Sequence, residues 1–98
     1  RAENGYRAKE LYVRRAHIYA SLSEYQLAET DYVTAIEMYP HSLIPRLKLG
    51  EMYFKIGKVS EAKRIWESIL RIEPRIQNEN SMAVKESARV LLIDHFPE

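Results

Sequence analysis

Residues 43–76 read LIPRLKLGEMYFKIGKVSEAKRIWESILRIEPRI, and residues 9–42, KELYVRRAHIYASLSEYQLAETDYVTAIEMYPHS, run in step with them. A shift of 34 positions sets Tyr19 on Tyr53, Ala28 on Ala62 and Pro40 on Pro74. It also sets Ala16 on Gly50, Tyr25 on Val59, Tyr32 on Trp66, Ala35 on Ile69 and Met38 on Ile72. Small residues meet small ones, rings mostly meet rings, and a proline closes each unit. A period of this length marks a chain built from repeated supersecondary units, each too small to bury its apolar face alone.

The residue types say what the unit is. Gly and Pro are scarce, three and four in the whole chain, and helix formers such as Glu, Lys, Arg, Leu and Ala fill the rest. Gly57 falls where an apolar run ends and can take positive φ cheaply, and Ser23 stands at the equivalent place as a weaker stop. Pro40 and Pro74 cannot continue a helix interior. Two helices per unit follow, with Ala16 and Ala28, or Gly50 and Ala62, where the pair must approach closely. Wide rings at Tyr19, Tyr32, Tyr53 and Trp66 fill the space beside those contacts. The reading predicts five helices, at about 5–21, 25–38, 43–55, 59–72 and 80–95.

These residues resemble the tetratricopeptide repeat family, with repeat one at residues 9–42 and repeat two at 43–76. The positions that carry the likeness are Tyr12, Ala16, Tyr19, Ala28, Tyr32, Ala35 and Pro40, then Arg46, Gly50, Tyr53, Ala62, Trp66, Ile69 and Pro74. The resemblance implies an all-α superhelix of two helix-turn-helix repeats in a single domain over residues 1–98, sealed by a capping helix near 80–95. Two positions depart from the family. Arg15 stands where a leucine usually packs on a preceding repeat, as Leu49 does in repeat two, so the first helix is expected to start the stack or to be locally capped. Arg46 replaces a bulky aromatic and is expected to bury its stem and expose its head.

The final segment has the character of half a repeat. Val84, Ala88, Leu91, Leu92 and His95 recur at helical spacing and would cover the last apolar face. Ser81 is placed as its N-cap. Val90 and Ile93 lie off that face, and three readings stay open for them: scattered surface residues, contacts with further protein, or a homodimer patch. The absence of an initiator Met before Arg1 leads us to expect a piece of a longer protein. A looser resemblance covers Tyr39 to Ala88. Pro45 in SLIPRLKLGEMYFKIGK and the closing SMAVKES at 81–87 are similar to the C-terminal repeat extension of O-antigen ligase-like and polymerase-like membrane proteins of Bacteroidetes, despite the extra polar insertion Gln77 to Asn80. That likeness implies a docking or regulatory extension of a membrane protein in surface polysaccharide assembly.

Composition removes several classes of function. The 98 residues carry a formal net charge of +1 with both signs interspersed, unlike a nucleic-acid surface with its one-sided basic excess. With no cysteine there are no disulfides, thiolate zinc sites or cysteine nucleophiles, although the compartment stays undecided. No apolar run is long enough to span a bilayer. His17, His41 and His95 are not spaced to share a metal on one helix face, and no phosphate loop, HExxH or GxSxG motif occurs. Asp31 and Asp94 are far apart in sequence, and Glu29, Glu37, Glu61 and Glu67 alternate with basic residues as on a solvated face. We therefore expect no enzyme, no cofactor and no metal.

The resemblance implies instead that a protein or peptide partner is bound on the concave face lined by the first helix of each repeat. Its residues here are Glu10, Val13, His17, Ala20 and Ser21, then Ile44, Leu47, Glu51, Phe54 and Lys55, with Ser81, Lys85 and Arg89 from the capping helix. Val13, Leu47 and Phe54 would form an apolar floor, while His17, Glu51, Lys85 and Arg89 would set orientation. The alternative is a groove that goes unused in this domain. Repeats that clamp the acidic C-termini of heat-shock chaperones use Lys and Asn at inner positions. Here those places hold Val13, His17 and Glu51, and Glu51 would repel a carboxylate.

Overall fold

A computed structural model describes residues 2–72 and 79–97, with the side chains of 2–8, 79 and 80 left out. Pro74, which the sequence places at the close of repeat two, lies outside the described residues, as do Gln77 and Asn78 of the polar insertion. Among the described residues there are five α-helices and no strand: α1 (Ala2–Ser21), α2 (Tyr25–Met38), α3 (Ile44–Lys55), α4 (Val59–Arg71) and α5 (Glu79–His95). The all-α helical-repeat expectation holds, and the predicted boundaries stand within a few residues of these. The chain divides into two compact units, Arg1–Pro40 and His41–Glu98.

In the first unit α1 packs along α2. Ala16 and Ala28 are fully buried, as are Tyr32 and Ala35 further along α2. The turn between the helices is a Schellman motif. The Glu24 N–H donates to the Tyr19 carbonyl at 2.8 Å and the Ser23 N–H to the Ala20 carbonyl at 3.0 Å, with Ser23 at φ 64°.

The second unit builds the same hairpin from α3 and α4. Lys58 N–H donates to the Tyr53 carbonyl at 2.8 Å and Gly57 N–H to the Phe54 carbonyl at 3.2 Å, with Gly57 at φ 93°. The two stops share one geometry 34 residues apart, and serine carries it once. Gly50 is the close-approach point. A Cβ there would collide with the indole nitrogen of Trp66 and lie 2.9 Å from Ile65 Cγ2. The core comprises Leu43, Ala62, Trp66, Ile69, Val84 and Ala88, so α5 contributes two of its buried side chains. Leu91, Leu92 and Phe96 pack against it, and the expected sealing of this hairpin by a fifth helix is what the structure shows.

One expectation at α5 is corrected. The helix begins at Glu79, so Ser81 sits within the first turn rather than before it and is not the N-cap. The helix starts three residues earlier than a cap at Ser81 requires.

Candidate partner-binding faces

Glu10, Val13, His17, Ala20 and Ser21 are spaced i, i+3, i+7, i+10 and i+11, which sets all five on one face of α1. Ile44, Leu47, Glu51, Phe54 and Lys55 repeat that spacing on α3. On α1 the face is open: Glu10, His17 and Ser21 are exposed, and Val13 and Ala20 are partly so. On α3, Ile44, Glu51 and Lys55 are exposed, whereas Leu47 and Phe54 lean into the core of their own unit. The Phe54 ring lies 4.3 Å from that of His95 and 5.9 Å from that of Trp66. The end of α5 therefore covers much of one of the two apolar side chains that were expected to floor this part of the groove. His95, expected on the covering face of α5, sets its ring in this aromatic cluster, which Phe96 completes at 6.3 Å from Phe54. Lys85 is partly buried on α5, and Arg89 is exposed and bonded at 2.6 Å to Glu86 one turn earlier.

Sequence reasoning missed a forked polar contact within the first unit. Arg15 Nε donates to Asp31 Oδ2 at 2.7 Å and Nη2 donates to Oδ1 at 2.9 Å, a forked pair tying α1 to α2. The carboxylate side chain is 5% exposed and the guanidinium 57%, and the latter lies over the rings of Tyr12 and Tyr19 at 5.6 and 5.9 Å. The hydrogen bond to Asp31, then its charge, raises the Arg15 pKa above its already high ordinary value. Arg15 thus departs from leucine because it holds a buried acid within its own hairpin. This accounts for the residue without invoking its place in a stack. The signal was available: Asp31 precedes Tyr32 on a face otherwise made of Ala28, Tyr32 and Ala35.

Arg46 on α3 is half-buried, but its head is not left exposed as expected: the guanidinium Nε is buried, and burial lowers the pKa. Its Nη1 lies 3.4 Å from Ser68 Oγ. Arg46, Tyr53, Glu61, Arg64, Ile65 and Ser68 line a shallow depression of about 300 Å³ whose mixed charges favour no single ligand. Among the described residues no group of three or more His, Cys, Asp or Glu side chains is placed to hold a metal ion. No described helix is long and apolar enough to cross a membrane.

Residues 9–42 match the family model of the tetratricopeptide repeat. The match covers the first hairpin with the limits that the 34-residue shift assigns to repeat one, and the second hairpin reproduces its turn and its small-residue approach. Repeats of this family generally mediate protein–protein interactions and are typically non-enzymatic. No curated protein and no solved structure matches the chain. The looser resemblance to O-antigen ligase extensions receives no support from these comparisons.

Proposed function

We propose that the chain is a non-enzymatic binding module that takes a segment of another polypeptide on the first-helix face of each hairpin. One observation supports it above the others. A five-residue pattern recurs at the same helical positions of α1 and α3, exposing acidic, basic, imidazole and aliphatic groups, while the small residues Ala16 and Gly50 turn to the partner helix. The apolar contribution comes from Val13 and Ile44, with Leu47 and Phe54 supplying edges rather than a floor. Glu10, His17, Glu51 and Lys55 set the register of the bound segment. A role as an extension of a surface-polysaccharide membrane protein has no observation here in its favour.

Peptides selected from a random display library against the immobilised chain provide the probe. Their affinity for a His17→Glu/Glu51→Lys variant is expected to fall at least about tenfold, equivalent to 1.4 kcal/mol. Glu37→Lys, on the exposed surface of α2, is expected to leave it unchanged. Equal affinity for all three proteins would sink the assignment.

Self-association through Val90 and Ile93 of α5 is a second reading, and both side chains are exposed.

A further inference from the structure

α5 packs chiefly along α4, and its last turn reaches α3 at Phe54. His95, the last helical residue, is exposed, with its ring 4.3 Å from that of Phe54 and 6.5 Å from that of Trp66. Phe96 follows, edge-on to Phe54 at 6.3 Å and to Trp66 at 6.4 Å. Lys63 Nζ stands 5.7 Å from the centre of the Phe96 ring. Phe54 is the one phenyl ring among the ten pattern positions of α1 and α3, and the 34-residue shift sets it on Ala20.

We propose that the His95–Phe96 end of α5 is a built-in competitor for the α3 face, displaced by a partner segment that sets an aromatic side chain of its own on Phe54. The proposal rests on the reading of α3 as a binding face. Two features set this end apart from the seal that the rest of α5 provides. Val84 and Ala88 belong to the core and Leu91 and Leu92 pack on its edge, all of them before His95. A purely structural cover would gain more from another hydrocarbon at position 95, whereas an exposed imidazole returns to water at little cost. The backbone agrees. Phe96 N–H donates to the Leu92 carbonyl at 2.9 Å, and Pro97 has no N–H with which to extend the helix. Lifting the last turn therefore breaks few backbone bonds, and helix ends open at the low end of local stabilities.

The cluster also says what chemistry replaces the cover. An incoming ring inherits Phe54 and Trp66 as ring partners and Lys63 as a cation, while an aliphatic side chain inherits only buried area. Glu51 is exposed three residues before Phe54, where it can pair with a cation on the same segment. A ring pair shifts an equilibrium by about two- to twelvefold, and apparent affinity falls with the fraction of molecules left uncovered.

The probe is a set of peptides selected from a random display library against the immobilised full 98-residue His95→Ala chain. His95→Ala is expected to bind them about threefold more tightly than the wild type, and His95→Ala/Phe96→Ala at least about tenfold more tightly. Far-ultraviolet dichroism with a thermal melt checks folding. Because His95 is exposed, the single variant carries the comparison if the double one melts early. The gain is expected to vanish for peptides whose aromatic residue is replaced by Ala, and a gain that needs no aromatic residue overturns the proposal. Adding Glu51→Lys to His95→Ala separates the two claims. If it weakens binding while the wild type and both cover variants bind alike, or the wild type binds best, the binding face stands and the competitor is overturned. If it changes nothing, the peptides bind elsewhere, and the face reading falls together with the competitor.

Discussion

Ser23 and Gly57 hold the same positive-φ position in two copies of one turn, yet only the glycine does so without strain. An L-residue in the left-handed region carries a cost of about 1–2 kcal/mol, which the unfolded-state entropy of glycine partly offsets. Ser23→Gly is therefore expected to stabilise the chain by about 0.5–1 kcal/mol in a urea titration. Gly57→Ala is expected to destabilise it by about 1 kcal/mol, purely through the backbone, since nothing lies within 4 Å of the added Cβ. Gly50 poses the opposite case, because its φ is ordinary and its surroundings are not. Helix propensity favours alanine there by about 1 kcal/mol. The collision with Trp66, whose indole is buried and donates to the Leu47 carbonyl at 3.4 Å, outweighs that gain, since overpacking costs about 1–3 kcal/mol. Gly50→Ala is expected to lower the urea midpoint, and a higher midpoint would show that the indole can withdraw freely.

At the scale of the helix pair, the two hairpins solve one packing problem with different chemistry. Arg15 and Asp31 correspond by the 34-residue shift to Leu49 and Ile65, an ion pair in one repeat and two aliphatic residues in the other. Removing the exposed partner of a buried acid strands that acid, while replacing both members by apolar groups is often neutral or stabilising. Arg15→Leu alone is expected to lower the melting temperature clearly. Arg15→Leu with Asp31→Ile, which copies repeat two, is expected to restore it to the wild-type value or above. Additive losses would mean that the carboxylate finds other compensation. This pair also shows what the sequence conceals. Helix positions, both turns and the Ala16 and Gly50 approaches were legible because each depends on local spacing or on a residue type with one outstanding property. Asp31 on the face of Ala28, Tyr32 and Ala35 flags a buried acid, but its forked bond joins residues on different helices, and the partner shows only once the hairpin closes. The covering of Phe54 by His95 was hidden for the same reason. The spacing puts Phe54 in line with Leu47 and Glu51 on α3, but nothing local to α3 reveals where the end of α5 lies.

For the molecule as a whole, the role of α5 follows from its buried side chains. Val84 and Ala88 belong to the core around Trp66 and Ile69, and Leu91, Leu92 and Phe96 pack on its edge. Fully burying a large aliphatic or aromatic side chain contributes about 1.5–3 kcal/mol, so removing this group forgoes at least about 4 kcal/mol even when the partly exposed members are discounted. A chain of this length has a total stability of about 5–15 kcal/mol. Ending the chain at residue 78 thus removes a large part of the margin and wets the faces of Trp66 and Phe54 that α5 covers. The shortened protein is expected to melt well below the full chain by circular dichroism and to bind a hydrophobic dye. Its tryptophan emission should move to longer wavelength as Trp66, the single Trp of the sequence, meets water. The first unit supplies the internal control, because six of the seven tyrosines, Tyr32 among them, lie in residues 1–40, which contain no Trp. If α5 is only an appendage, the Trp66 spectrum of the shortened chain will match that of the full one. If it is the lid of the second hairpin, the tryptophan signal will shift at temperatures where most of the helical dichroism of the first hairpin is still present.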